Sequence, residues 1–184
     1  KHRLKARFAL IRSQITNGNH PAARQNVDAF LPIIQDIVME FDDGRGGGVK
    51  RDKSDVAYQR VLTYSEDLPN SIAETRKFLA AYPAYEQAIQ LARGLPNMLV
   101  GLGRTDEAIA AHRDFVEGKN FEFNADEKAT TPDSKTGVSP AENLKKLQRE
   151  SFFQIAQLLF NQKKYEEAIK QWQAYVNRNP DGAQ

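Results

Sequence analysis

Apolar residues near the end of this chain recur at helical spacing, stop, and recur again. In FFQIAQLLFNQKKYEEAIKQWQAYVNRNPD the stripe Phe152, Ile155 and Leu159 runs into the polar break NQKK, and a second amphipathic run then leads to Pro180. Two short helices, each with one apolar face, must pack against each other to hide those faces. The same alternation of apolar stripe and Gly or Pro punctuation runs upstream. It predicts helices near 2–16, 21–41, 55–66, 70–81, 84–93, 96–102, 105–117, 140–161 and 164–178. No segment alternates convincingly as a strand, so the expected class is all-α. Ser139-Pro140-Ala141-Glu142 is the clearest start signal: Ser caps, Pro suits the first turn, and Glu closes a capping box. Gly103 should end one helix and Thr105 cap the next. Pro32 predicts a bend. Pro96 predicts a kink or restart near Gly94 to Pro96, because a proline inside a helix removes a hydrogen bond.

The segment Arg149 to Pro180 resembles a tetratricopeptide repeat (TPR), with Ala156 midway through its first helix, Ala168 early in its second, Trp172 four residues later and Pro180 at the end. The two alanines let the backbones approach while larger neighbours fill the groove. Tyr175 stands where the family has a small residue, and a Phe replaces the usual Trp of the first helix. A looser copy surrounds Ala108, with Leu95, Leu99, Ile109, His112 and Phe115 at core-facing places. Weaker copies surround Ser71, with Phe78 and Pro83, and Ala23, with Gly18, Val27 and Phe30. The anchors at 23, 71, 108 and 168 are spaced by 48, 37 and 60 residues, against a family period of about 34. Insertions at the Gly-rich run near 42–53 and the polar stretch near 120–138 account for the excess.

The resemblance implies a right-handed α-α superhelix, a TPR-like solenoid with two irregular insertions. Residues 1–184 would form a single domain, with repeat-like units near 4–41, 52–83, 84–118 and 140–180. The chain begins at Lys1 without a methionine and reads as a piece of a larger protein, so any targeting signal would lie outside it. Cysteine is absent, which removes disulfides and thiolate metal sites and leaves the compartment open. With 26 basic and 24 acidic residues the formal charge is only +2, and no basic run is interleaved with stacking aromatics. Nucleic acid is therefore not expected as a partner. No apolar run approaches the roughly 20 residues that membrane insertion requires.

Candidate chemistry is sparse. Gly44-Arg45-Gly46-Gly47-Gly48-Val49-Lys50 lacks phosphate-loop spacing, since Lys50 follows Val49 and no hydroxyl follows the lysine, so a flexible connector is expected. Asp42 and Asp43 lack the alternating ligands of a calcium loop. His2, His20 and His112 lie too far apart in sequence to share a metal at helical spacing, and no serine sits in a nucleophile elbow. Acid pairs such as Asp106-Glu107 and Glu166-Glu167 suit the first turn of a helix. No catalytic residue, cofactor or metal is expected, and a scaffold is favoured over an enzyme.

In TPR arrays the first helix of each hairpin lines a concave groove that receives a peptide or a partner's helix. Carrying that frame over places Lys5, Phe8 and Arg12, then Lys53 and Arg60, then Gln90, Arg93 and Asn97, then Glu150, Phe153, Gln157, Phe160 and Asn161 toward the groove. The expected partner is a protein or peptide, acidic or carboxylate-bearing, with its charge near Arg12, Arg60 and Arg93. An ordinary solvated face is the alternative. Ile169, Trp172 and Val176 fall where a following repeat would cover them, which points to a continuing chain or self-association; inward folding of Trp172 is the alternative. Phe121 and Phe123 read as a hydrophobic clasp or an internal groove ligand. An architectural spacer, and a docking arm of an enzyme whose active site lies elsewhere, are the rival functions.

Overall fold

The structure is a computed structural model, describing residues 2–35, 37–42, 48–124, 131–133 and 136–178. The chain separates into two compact units, Lys1–Tyr82 and Pro83–Gln184. That division coincides with the boundary between the second and third repeat-like segments.

In the first unit α1 (His2–Thr16) and α2 (His20–Ile34) form a hairpin, a β-hairpin follows, and α3 (Lys53–Leu62) and α4 (Leu68–Ala81) complete it. Phe8, Ile11, Val27, Phe30, Ile34, Met39 and Val56 make the core. Two expectations fail here. The second helix ends at Ile34 rather than near 41, two residues after Pro32, which cannot donate a helical hydrogen bond. Residues expected at the end of that helix instead form strand β1 (Met39–Asp42), and the end of the expected connector enters strand β2 (Gly48–Arg51), paired antiparallel with Phe41 opposite Val49. Burying Met39 and setting the Phe41 ring 5.7 Å from that of Phe8 holds the hairpin on α1. Asp43 and Gly44 to Gly47 lie outside the described residues. Asp52 caps α3, accepting from Ser54 N at 2.8 Å, while Asp55 Oδ2 accepts from Asp52 N at 2.8 Å.

In the second unit α5 (Ala88–Gly101), α6 (Thr105–Val116), α7 (Pro140–Asn161) and α8 (Tyr165–Arg178) pack in succession. Ile109, Ile155, Leu159 and Ala168 form a core, with Leu158 and Trp172 at its edge. Helix α5 runs on through Pro96, so the expected restart does not occur there. The proline ring is fully buried, and its packing offsets the missing hydrogen bond. Thr105 does not cap α6: the cap position is Arg104, without a side-chain cap bond, and its guanidinium instead grips Glu107 at 2.6 and 2.7 Å. Ser139 and Glu142 form the expected capping box of α7, Ser139 Oγ accepting from Glu142 N at 3.2 Å and Glu142 Oε2 from Ser139 N at 3.0 Å. Phe121 is buried with its ring 5.3 Å from Phe115, a clasp in the manner expected. Residues 125–130 and 134–135 of the polar stretch, and Pro180, lie outside the described residues.

Candidate interaction surface

Three of the hairpins share one joint. The connections α1–α2, α5–α6 and α7–α8 occupy residues 17–19, 102–104 and 162–164, equal in length each time. In each the middle residue has positive φ: Gly18 at 74°, Gly103 at 70° and Lys163 at 62°. Its N–H donates to the carbonyl three residues back, from Gly103 N to Val100 O at 2.9 Å and from Lys163 N to Phe160 O at 2.8 Å. The next N–H donates five back, from Arg104 to Leu99 O at 2.9 Å and from Lys164 to Leu159 O at 3.0 Å, closing a Schellman turn. Ala23, Ala108 and Ala168 then fall at the fourth position of the following helix, each fully buried, and Ser71 takes the same position in α4 at 7% exposure. A small buried residue at one fixed distance from one fixed turn is the geometry of the repeat. The fold is a TPR-like helical repeat.

In the second unit the first helix of each hairpin presents its outer face to solvent. On α5, Gln90, Arg93 and Asn97 are exposed; on α7, Glu150, Phe153, Phe160 and Asn161 are exposed and Gln157 is half-buried. The two faces meet where Arg93 donates to Glu150 Oε2 at 3.4 Å. Gln157 donates from Nε2 to Asn161 Oδ1 at 3.2 Å. Phe153 and Phe160 stay 40% and 45% exposed while leaning on Trp172, at ring distances of 6.5 and 5.7 Å. Trp172 is half-buried against α7, its Nε1 shielded and without an acceptor among the described residues. Ile169 and Val176 remain 52% and 53% exposed. Tyr165 is exposed against Phe160, with their ring centroids 5.3 Å apart.

In the first unit the expected groove residues part company. Arg12 is exposed on α1. Phe8 is a core residue, 3% exposed, because Phe41 of β1 covers the face it was expected to offer. Arg60 is half-buried, with Nη1 2.6 Å from Asp28 Oδ1 and Nε 2.9 Å from Glu74 Oε2, so it staples α3 to α2 and α4. Lys5 lies over the Phe41 ring. Among the described residues no three His, Cys, Asp or Glu side chains gather as metal ligands, and no helix is long and apolar enough to cross a membrane.

Sequence reasoning overlooked a cleft in the second unit. Its volume is about 430 Å³, and Lys145, Arg149, Phe152 and Arg178 line it. A signal was present: Lys145 and Arg149 are four residues apart, on one face of a helix longer than the repeat requires.

No protein-family model matches the chain, and no curated protein does. Among solved structures the chain is similar to kinesin light chain nearly identical TPR-like repeats from Podosopora anserina, and to a variant of the same protein. Each is 10% identical, with 99% of this chain and 77% of the other covered, at a TM-score of 0.48. The repeat reading rests on the joints and buried anchors of the chain itself.

Proposed function

We propose that the chain is a protein-interaction scaffold in which the outer faces of α5 and α7 receive a peptide or a partner's helix. The observation that carries this reading is the pair Phe153 and Phe160, large aromatics left 40% and 45% exposed one turn to either side of Gln157. Such residues supply apolar contact area, and Asn97 and Gln157 supply amide donors and acceptors at its margin. Arg93 is engaged by Glu150, so an acidic partner would have to compete for it; apolar anchors are the stronger requirement. Binding by surface presentation involves no bond chemistry.

Panning a display library of random peptides on the full chain tests this. Enriched peptides with apolar anchors should lose affinity at least about tenfold with Phe160→Asp. An architectural spacer should enrich nothing above a blank surface, and a docking arm of an enzyme should bind its own catalytic domain rather than free peptides. Self-association through Tyr165, Ile169 and Val176 is a second reading, supported by their exposure. Sedimentation should then show a concentration-dependent dimer that Ile169→Lys abolishes.

A further inference from the structure

Helix α7 has 22 residues, whereas its hairpin partner α8 has 14. Running antiparallel, the described part of α8 reaches back to Phe152, where Tyr175 stacks at 6.3 Å and the Arg178 guanidinium lies 4.6 Å over the ring. Pro140 to Ser151 extend beyond the described part of α8 by about 18 Å. Their inner side is covered, since Leu144 and Leu147 are buried. Their other side leaves a step beside the ends of α6 and α8, and this step is the cleft.

Its floor is apolar, from Val116 and the Phe152 ring, and its walls are cationic, from Lys145, Arg149 and Arg178. Glu142 at the rim is already committed: its Oε2 accepts from Ser139 N at 3.0 Å and Ser139 Oγ at 2.9 Å. Three cations against one carboxylate leave the cleft positive: Lys145 interacts electrostatically with Glu142, while Arg149 and Arg178 have no carboxylate within ion-pair distance among the described residues. The C-terminus of α6 would repel an anion through the helix dipole. That repulsion is blunted, because Gln148 Nε2 donates to Phe115 O at 3.3 Å and Val116 O at 3.2 Å. Contact with the Phe152 ring places the Arg178 guanidinium at the cleft, where its N–H groups can serve a planar anion.

We propose that this cleft is a second binding site, separate from the α5–α7 face, which takes an acidic peptide segment. An apolar side chain lies on Val116 and Phe152, and a neighbouring carboxylate sits between Arg149 and Arg178. The floor argues against a bare inorganic anion, which would leave it uncovered. The size argues against nucleic acid, whose backbone needs a basic stripe rather than one cleft with three cations. That the anion comes on a peptide rests on the scaffold reading above.

The test is fluorescence anisotropy on the full chain with a labelled acetyl-Glu-Glu-Phe-Asp-Glu-Leu peptide, and with its Gln and Asn counterpart. The acidic probe should bind with an affinity that falls as salt rises, and the amide counterpart at least about tenfold more weakly. Arg149→Glu should reduce acidic-probe affinity at least about tenfold. Arg149 is exposed, so circular dichroism of this variant should match the wild type. Arg178→Gln should weaken binding less, and Phe160→Asp should leave it unchanged. Equal affinity for both probes, or none for either, overturns the proposal, as does indifference to Arg149→Glu. Displacement by inorganic phosphate at the same concentration as unlabelled peptide assigns a free-anion site and overturns the peptide. Loss with Phe160→Asp but not with Arg149→Glu removes the cleft and leaves the scaffold reading standing.

Discussion

His112 lies on the buried stripe of α6, 5% exposed, and its Nδ1 has no hydrogen-bond partner among the described residues. Burial disfavours the imidazolium and pushes its pKa from 6.5 down to about 4. Between those values the unfolded chain binds a proton that the folded chain refuses, so stability is complete above pH 6.5 and is lost as pH falls toward 4. At pH 5 the loss from this one group is about 2 kcal/mol. Urea unfolding can be followed through Trp172, the chain's one tryptophan, which lies in the same unit. With an m-value of about 1.5–2 kcal/mol per M, the midpoint should drop by about 1 M between pH 7.5 and pH 5. His112→Leu removes both the titration and an unsatisfied polar atom. It should therefore match the wild type within about 1 kcal/mol at pH 7.5 and exceed it at pH 5. His2 and His20 are common to both proteins and cancel in the comparison. If the two midpoints fall in parallel over this range, burial of His112 is not what couples this fold to pH.

Three further outcomes follow from the joints and anchors. Lys163 occupies with φ 62° a position that Gly18 and Gly103 take in the sister turns, so Lys163→Gly should raise stability by about 0.5–1 kcal/mol, read as an increase in melting temperature. Ala168 is fully buried where α7 and α8 approach; Ala168→Leu should destabilise by about 1–3 kcal/mol in urea, and an unchanged midpoint would mean that the helices have slack there. Ser139→Ala removes the α7 cap and should cost about 1 kcal/mol, with faster amide exchange confined to the first turn of that helix.

The repeat frame was legible because its demands are local. A small residue must sit where two backbones meet, so Ala23, Ser71, Ala108 and Ala168 could be found without coordinates, and all four occupy the same helical position. Ser139 was equally readable, since a capping box lies wholly within four consecutive residues. Features that depend on distant partners were hidden. The strands flanking the Gly-rich run were missed because nothing beside them in sequence reveals that Phe41 meets Phe8. Pro96 looked like a break because the local rule ignores the burial of its ring. Arg60 looked free because Asp28 lies 32 residues away. On the candidate face, the frame identified Arg93, Phe153 and Phe160 as outward-facing, whereas the Arg93–Glu150 contact needed the fold. The cleft was missed because its lining is gathered from α6, α7 and α8, a juxtaposition that no single helix displays.

The two insertions share a placement: each follows the second helix of a hairpin, while the connections within the three matching hairpins keep one length. Within a unit, additions thus gather at one rim and the tight joints line the other. A bulky label carried on either insertion would therefore decorate one rim of its unit and leave the rim of tight joints clear.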